Sequence, residues 1–205
     1  MVATGPYLNA AGFAVAGGRS ARMGRDKAAL AWGAGDLLDH ALARLSTLTG
    51  DVRILCGPEA RYGDRGRAVL PDVAHDIGPL AALLTAVRAL PTGGTAVLLA
   101  VDLPLVTPGF LRALLDLAAD GGVDAVVPVS PLGAEPFCAV YRASCREAIE
   151  GAAAAGRLKM TAFWGDVRVR EVAGAELQAL GDPARVFRNV NTPADYEDAR
   201  RMAGA

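Results

Sequence analysis

Short apolar runs alternate with amphipathic stretches of helical length along this chain of 205 residues, and the alternation limits the folds open to it. Residues 95–101 (TAVLLAV) are apolar throughout, which is typical of a strand covered by helices on both faces. Strands that alternate with helices predict a mainly parallel sheet with right-handed crossovers. We expect strands at residues 10–16, 51–56, 68–70, 95–101, 124–129, 136–141, 167–171 and 186–190, and helices at residues 36–47, 79–90, 108–119, 145–155 and 193–202.

One pair of predicted strands is too close in sequence for a crossover helix. Residues 136–141 follow residues 124–129 after six intervening residues, so this pair is predicted to be antiparallel. The sheet is then mixed but mostly parallel. Because the sequence shows no repeat or linker, we expect an α/β fold with a single domain over residues 1–205, in which residues 1–9 are an N-terminal extension.

The balance of charge excludes a general binder of polyanions. The chain has 21 Lys and Arg residues against 22 Asp and Glu residues, which gives a net charge of −1. A nucleic-acid-binding protein would carry a positive excess, so we expect no nucleic-acid partner. With 52% hydrophobic residues, 24 Gly and 12 Pro, the chain can bury a core and is not a low-complexity sequence.

Cysteine usage and hydropathy bear on the compartment. The three cysteines, Cys56, Cys138 and Cys145, form no metal-type pair, and their odd number argues against a disulfide framework. Reduced and buried thiols are the simpler interpretation. The stretch before Arg19 lacks the basic start of a signal peptide, and no segment approaches the ~20 consecutive apolar residues that span a bilayer. We therefore expect a cytoplasmic protein with no membrane partner.

A glycine-rich basic loop follows the first predicted strand. In residues 17–27 (GGRSARMGRDK), Gly17, Gly18 and Gly24 let backbone amides approach a ligand without a Cβ clash. Residues 19–27 also hold four cations, and cations combined with amide donors at a strand end suit a polyphosphate. The spacing fits neither the Walker A loop nor the GxGxxG dinucleotide fingerprint. The alternative interpretation is a glycine-rich turn followed by a solvated basic stretch.

A carboxylate stands at the end of the apolar run at residues 95–101. Asp102 is not needed as a helix cap, because Thr107 and Pro108 supply the cap and first residue of the next helix. A carboxylate beside such an apolar strand needs partners. Since a hard oxygen donor near a triphosphate is a natural ligand of Mg²⁺, Asp102 is the predicted metal-binding residue.

Two asparagines close the last predicted strand. If residues 186–190 form a strand, Asn189 and Asn191 point to the same face. Thr192 and Asp195 are explained by a capping box at the next helix, which leaves the two amides without a structural explanation. Asn191 is also a candidate to complete the metal shell. Local hydrogen bonds within the turn are the structural alternative.

Three motifs resemble those of one family. The segments AGGRSARMGRDK (residues 16–27), VDLP (residues 101–104) and NVNTP (residues 189–193) are similar to the signature motifs of molybdenum cofactor guanylyltransferases. The resemblance extends from Ala10 to about Arg200. It implies a Rossmann-like nucleotidyltransferase fold and an active site that is lined by the two asparagines of the third motif.

The resemblance also implies which residues bind the nucleotide. GTP would bind at Ala16, Gly17 and Gly18, and Asp72 and Gly78 would lie near the guanine nucleotide. Two positions depart from the family pattern. They are Gly57, where the family often has an asparagine that contacts ribose, and Ala82, where it often has glycine.

The resemblance further implies the catalytic groups. Lys27 would lie on the phosphates with the help of Arg22, whose fixed guanidinium fork can engage phosphate oxygens in pairs. Asp102 would bind nucleotide and Mg²⁺, the implied cofactor. Arg157 and Lys159 are candidates to meet the phosphate of a second substrate.

The implied reaction transfers GMP from GTP to the terminal phosphate of molybdenum-loaded molybdopterin and releases pyrophosphate. Transient contacts with other cofactor-assembly proteins or with acceptor proteins are compatible with this activity. Two alternatives stay open. One is a molybdopterin cytidylyltransferase or another nucleotidyltransferase that acts on a small phosphate, and the other is a non-catalytic nucleotide sensor.

Overall fold

Most of the strands of this protein belong to one central sheet. The computed structural model describes residues 7, 9–17 and 26–204. The strands found there are β1 (Ala10–Val15), β2 (Ala31–Trp32), β3 (Gly35–Asp36), β4 (Asp51–Leu55), β5 (Ala68–Leu70), β6 (Thr95–Ala100), β7 (Ala125–Ser130), β8 (Gly133–Ala134), β9 (Cys138–Arg142) and β10 (Val169–Ala173).

The central sheet is mixed, with a parallel half and a half that contains an antiparallel strand. Its order is β10-β7-β9-β6-β1-β4-β5, and β8 pairs with β7. Strands β5, β4, β1 and β6 run parallel to one another. Strand β9 runs antiparallel between β6 and β7, and β10 is parallel to β7. The predicted α/β fold with a mixed, mostly parallel sheet is confirmed, as is the antiparallel pairing of the two strands that lie close in sequence.

Helices connect the strands and cover both faces of the sheet. Those of the described chain are α1 (Leu37–Ser46), α2 (Leu80–Arg88), α3 (Pro108–Ala119), α4 (Arg146–Ala154), α5 (Gly174–Leu180), α6 (Pro183–Val186) and α7 (Pro193–Ala203). None of the helices in this part of the chain has the length and apolar character needed to cross a membrane.

The predicted helices begin where their capping signals stand. The Thr107 hydroxyl accepts a hydrogen bond from the N–H of Phe110 at the start of α3. Thr192 and Asp195 form the predicted capping box of α7. Such bonds satisfy backbone donors that have no partner inside the helix, and this is why the sequence marks helix starts reliably.

Two apolar clusters lie on opposite faces of the sheet, and β6 contributes to both. Val97 and Leu99 belong to the cluster that is covered by α1, α3 and α7. Ala96 and Leu98 belong to the cluster that is covered by α2 and α4. Because neighbouring residues of a strand face opposite sides, a strand buried on both faces has no polar position. This explains the uninterrupted apolar run in β6.

The predicted strand at residues 186–190 is wrong. Residues Pro183–Val186 form the short helix α6, whose start is capped by the Asp182 carboxylate accepting from the N–H of Ala184. The following residues, up to Asn191, have no regular structure. The β-branched and aromatic residues that favoured a strand are buried because they pack onto the core, not because they pair in the sheet. Helix α5 was not predicted either, and β10 begins two residues later than the predicted strand at residues 167–171.

The topology brings several chain segments to one edge of the sheet. Since β1, β4, β5 and β6 are parallel, the residues that follow them all lie at the edge of the sheet where these strands end, its carboxyl edge. Strand β9 runs in the opposite direction, so the residues that precede it lie there too. This is shown by the hydrogen bond of 2.8 Å from the N–H of Ala100 to the carbonyl of Phe137.

We predict that Phe13, in the middle of β1, is essential to stability. Its side chain is 0% exposed, so Phe13→Ala should lower the free energy of unfolding by about 3–5 kcal/mol through lost burial and a cavity. Urea denaturation measures the change. As a control, Leu132→Ala removes a side chain that is 93% exposed and should change stability by less than about 0.5 kcal/mol. Equal losses in the two variants would contradict this account of the core.

Candidate active site

The backbones that follow β1 and β4 touch at the carboxyl edge of the sheet. A Cβ atom added at Gly17 would lie 2.6 Å from the backbone nitrogen of Gly57, closer than real contacts allow. Gly57 itself has a φ of +79°, a left-handed conformation that favours glycine. The N–H of Ala16 donates to the carbonyl of Leu55, 2.8 Å away, and holds the two segments together. Only glycine therefore fits at position 17.

Lys27 extends from a short 3₁₀ turn (Lys27–Ala29) toward two other segments of the chain. Its ammonium donates to the amide oxygen of Asn191 at 2.7 Å and lies 3.3 Å from a carboxylate oxygen of Asp102. The Lys27 and Asp102 side chains are 20% and 26% exposed, so the pair is only partly shielded from water. A cation, a carboxylate and an amide thus meet at one point of the sheet edge.

Asp102 is anchored by its backbone to the C-terminal part of the chain. Its carbonyl accepts a hydrogen bond of 2.9 Å from the N–H of Val190, which brings the adjacent Asn191 next to Lys27. The residues that follow Asp102 are held by α1. The His40 imidazole lies 2.9 Å from the carbonyl of Pro104, and burial lowers the pKa of His40. The segment at residues 190–191, helix α1 and the turn that carries Lys27 therefore set the position of Asp102.

A cleft of about 820 Å³ opens beside this group. It lies where β1, β4 and β5 end and α2 begins, and it is large enough for a small organic ligand. Among its lining residues are the predicted nucleotide-binding residues Gly17, Asp72 and Gly78, together with Gly57 and Ala82. The order of the strands thus brings to one cavity residues that are scattered in the sequence.

Asp72 carries an unusual carboxyl group on the wall of the cleft. Its Oδ1 atom is buried and has no hydrogen-bond partner among the described residues. Burial raises the pKa of the Asp72 carboxyl above its usual value, and the neighbouring His75 opposes the rise. A buried acceptor without a partner is costly unless a ligand supplies a donor. This makes Asp72 a candidate to accept hydrogen bonds from a ligand in the cleft.

Gly78 borders the same cleft just before α2. Its φ of +58° is again left-handed, and its carbonyl accepts from the N–H of Ala81 at 3.1 Å. Helix α2 begins at Leu80 after Pro79, as the Gly-Pro signal predicts. The start of α2 lines the cleft, and backbone amides at a helix start are available to polar groups of a ligand.

The other predicted site residues fall into three groups. Ala16 is buried at the end of β1. Asn189 is half-buried in the irregular segment before Asn191, so the strand periodicity that paired these two asparagines does not apply. Gly18 and Arg22 lie outside the described residues.

The second-substrate candidates lie after α4. Arg157 donates to the carbonyl of Ala162 and to the Asp166 carboxylate, 3.0 Å away, which gives it a structural role in that turn. Lys159 is exposed. Neither residue is among those that line the cleft.

Sequence reasoning missed three residues beside the cleft. The Asp26 carboxylate accepts from Arg61 at 3.2 Å and from the Tyr62 hydroxyl at 2.6 Å. The position of Asp26 directly before Lys27 could have drawn attention to it, but nothing in the sequence indicates that Arg61 and Tyr62 bind its carboxylate. A further carboxyl, that of Glu135, lies close enough to Asp102 to be affected by its charge. Burial raises the pKa of its carboxyl, a hydrogen bond from Ser130 opposes the rise, and the negative charge of Asp102 adds to it.

The site offers few fixed ligands for a metal ion. Among the described residues there is no group of three or more His, Cys, Asp or Glu side chains that could hold one. Mg²⁺, however, commonly binds through one or two carboxylates together with phosphates of the substrate. Asp102, in contact with Lys27 and partly exposed, fits that mode of binding, in which a nucleotide completes the shell.

The chain is similar in sequence and in fold to known proteins. A family model described as a MobA-like NTP transferase domain matches residues 12–169. A probable molybdenum cofactor guanylyltransferase of Pelotomaculum thermopropionicum is 34% identical over 96% of this chain and 94% of its own length. One from Chloroflexus aggregans is 33% identical over 97% of both chains. The crystal structure of molybdopterin-guanine dinucleotide biosynthesis protein A from Archaeoglobus fulgidus superposes with a TM-score of 0.77, at 23% identity, over 94% of this chain and 98% of that one.

The mixed sheet and the matching NTP transferase family model place the chain among the nucleotidyltransferases with a Rossmann-like fold. Within that class, the chain belongs to the MobA-like family of molybdenum cofactor guanylyltransferases. The resemblance noted from its three sequence motifs is therefore confirmed.

We predict that Asp72 lowers the stability of the protein near neutral pH. Its raised pKa means that the ionised form is disfavoured in the folded state, so the cost is present above the unfolded pKa of about 3.9 and disappears below it. Asp72→Asn should therefore be more stable than the wild type near pH 7, with a difference that vanishes toward about pH 4. Urea denaturation at several pH values measures this. The exposed Asp120→Asn is the control, and an Asp72→Asn variant that is less stable near pH 7 would refute the prediction.

Proposed function

We propose that this chain transfers GMP from GTP to the terminal phosphate of molybdenum-loaded molybdopterin, with release of pyrophosphate. The observation that supports it most is the meeting of Lys27, Asp102 and Asn191 beside the cleft. A cation and a carboxylate at the mouth of a cavity are suited to a triphosphate with its metal ion. The choice of a guanine nucleotide as donor and of the molybdenum cofactor as acceptor is based on the names of the relatives.

In this proposal the cleft holds the nucleoside. The base lies toward Gly78 and Asp72, where the unpartnered carboxylate oxygen would accept hydrogen bonds from a ligand. The triphosphate then extends past Gly17 toward Lys27, because the closely packed backbones at Gly17 and Gly57 leave no side chain between them and a ligand. The nucleotide thus runs along the carboxyl edge of the sheet.

Asp102 is the residue that would hold Mg²⁺ together with the phosphates of the nucleotide. When bound, Mg²⁺ supplies positive charge that offsets the charge developing on phosphate oxygens. The Lys27 ammonium supplies a second positive charge next to it. Asn191 keeps that ammonium within reach of the phosphates by accepting one of its three hydrogens.

The reaction is a direct displacement. An oxygen of the acceptor phosphate forms a bond to the α-phosphorus of GTP, while the bond from that phosphorus to the oxygen shared with the β-phosphate breaks. The electron pair of the broken bond leaves with pyrophosphate. The acceptor is already an anion, so it needs no general base, and the chain contributes alignment and neutralisation of charge. Lys27 would neutralise the departing pyrophosphate.

The proposal includes a cytoplasmic location and small-molecule partners. The three cysteines are free and buried, which is consistent with a reducing compartment. Contacts with other proteins of cofactor assembly would be transient.

We predict that Lys27→Ala and Asp102→Ala each lower the rate of transfer more than about tenfold, equivalent to about 1.4 kcal/mol of barrier. Lys27→Ala removes a positive charge that offsets the phosphates, and Asp102→Ala removes the carboxylate that would hold Mg²⁺ beside them. The assay follows incorporation of label from α-labelled GTP into the loaded pterin. Asp120→Ala, at an exposed position after α3, should retain wild-type turnover. Near-normal turnover in either site variant would exclude this scheme.

The same assay separates the proposed function from its alternatives. Labelled CTP in place of GTP tests for a cytidylyltransferase, and greater incorporation from CTP would replace the guanine assignment. Tight binding of GTP without pyrophosphate release, in the presence of loaded pterin, would instead identify a nucleotide sensor.

We predict that transfer depends on a divalent cation. Because the described residues offer few fixed ligands, the ion should be held mainly by the nucleotide and lost easily. Excess EDTA should abolish turnover, and added Mg²⁺ should restore it. Full turnover in the presence of excess EDTA would show that Asp102 does not act through a metal ion.

A further inference from the structure

Asp26, one residue before Lys27, uses both of its carboxylate oxygens. Its Oδ1 atom accepts a hydrogen bond of 3.1 Å from the N–H of Ala28 and so caps the turn that carries Lys27. Its Oδ2 atom accepts from the Tyr62 hydroxyl at 2.6 Å and from the Arg61 guanidinium at 3.2 Å. The carboxylate therefore connects the Lys27 turn to the connection between β4 and β5.

Arg61 extends this connection to the cleft. Its second terminal nitrogen donates to the carbonyl of Cys56 at 3.3 Å, and its guanidinium lies 5.1 Å from the centre of the Tyr62 ring. Cys56 precedes Gly57, the residue that Gly17 packs against. The same three side chains thus tie together the Lys27 turn and the end of β4.

The geometry of Tyr62 is itself constrained. Its φ of 68° is left-handed, which is uncommon for a bulky residue and persists only where the surroundings hold it. Burial and the bond to Asp26 raise the pKa of the Tyr62 hydroxyl above its ordinary value, so the hydroxyl keeps its hydrogen at neutral pH. The hydroxyl can therefore donate to Asp26 at neutral pH.

We propose that Asp26, Arg61 and Tyr62 form a clasp that positions Lys27 for the triphosphate. This inference rests on the proposed function only for the identity of the ligand. Without the clasp the Lys27 turn loses its attachment to the cleft wall, and the ammonium no longer stays between Asn191 and Asp102. Arg61 also offsets the negative charge of Asp26, which otherwise stands beside the path of an anionic ligand. The three are positioning residues, since they act through Lys27.

The first test needs no ligand. Lys27 and Lys159 are the two lysines of the chain, so Lys159, which is exposed, serves as an internal reference for amine modification followed by mass spectrometry. Tyr62→Phe should raise the modification rate of Lys27 relative to Lys159 about threefold, because one hydrogen bond to a charged group is lost. An unchanged ratio would overturn the clasp.

Tyr7→Phe is the matched control. It also removes a tyrosine hydroxyl that donates to an aspartate, Asp116, but at the opposite edge of the sheet. It should leave the ratio of Lys27 to Lys159 modification unchanged. If Tyr7→Phe raises the ratio as much as Tyr62→Phe, the effect reflects general loosening of the fold and the clasp is refuted.

The second test asks whether the clasp acts through Lys27. Calorimetry with GTP and Mg²⁺ gives the dissociation constant for the wild type, Tyr62→Phe, Lys27→Ala and the double variant. Tyr62→Phe should weaken binding about three- to tenfold in the wild-type background and less than about twofold in the Lys27→Ala background. Equal factors in the two backgrounds would show that Tyr62 does not act through Lys27.

Two substitutions at Asp26 compare the loss of one carboxylate oxygen with the loss of both. Asp26→Asn keeps one oxygen, which can either cap the turn or accept from Tyr62, so it should weaken binding less than Asp26→Ala, which loses every bond. Equal losses would contradict the clasp.

If the wild type binds CTP more tightly than GTP, the guanine assignment fails, and the same comparisons are made with CTP. If it binds neither, the proposed function fails, and the modification ratio alone decides the clasp.

Discussion

The contact of Lys27 with Asn191 and Asp102 is the interaction on which the rest of the site depends. It joins residues that are 75 and 164 positions apart, at the point where β6 ends. A lone ammonium or carboxylate in a partly buried position is unfavourable, and each of these groups lowers the cost of placing the other. The topology makes this possible, because parallel strands deliver their following residues to one edge.

Two features near this contact are unfavourable for the stability of the folded protein. Asp72 presents a buried acceptor without a partner among the described residues, and Tyr62 holds a left-handed backbone. Both lie on or beside the cleft. Buried polar groups without partners and strained residues tend to occur where a ligand or a catalytic group needs them. Their position at the cleft is consistent with a nucleotide-binding role for this part of the molecule.

The helices up to α4 and the longer strands before it could be predicted because their signals are local, whereas the two-residue strands β2, β3 and β8 were not predicted. Continuous apolar character defines β6, and capping pairs such as Thr107 with Pro108 define helix starts. The same reasoning failed at residues 186–190, where burial has a tertiary origin. Val186 and Val190 are buried because the segment crosses the core beside Asp102. A short buried stretch has no hydrophobic periodicity that would distinguish an irregular segment from a strand.

The sequence by itself determined the α/β class and the candidacy of Lys27 and Asp102, and it predicted a phosphate-binding role for the first loop. These follow from hydrophobic period and from residue types that stand close together in the chain. Only the tertiary structure decided that Asn191 accepts from Lys27 and that Arg61 and Tyr62 hold Asp26. Contacts between side chains far apart in sequence leave no local pattern, since they exist only once the strands have aligned their ends.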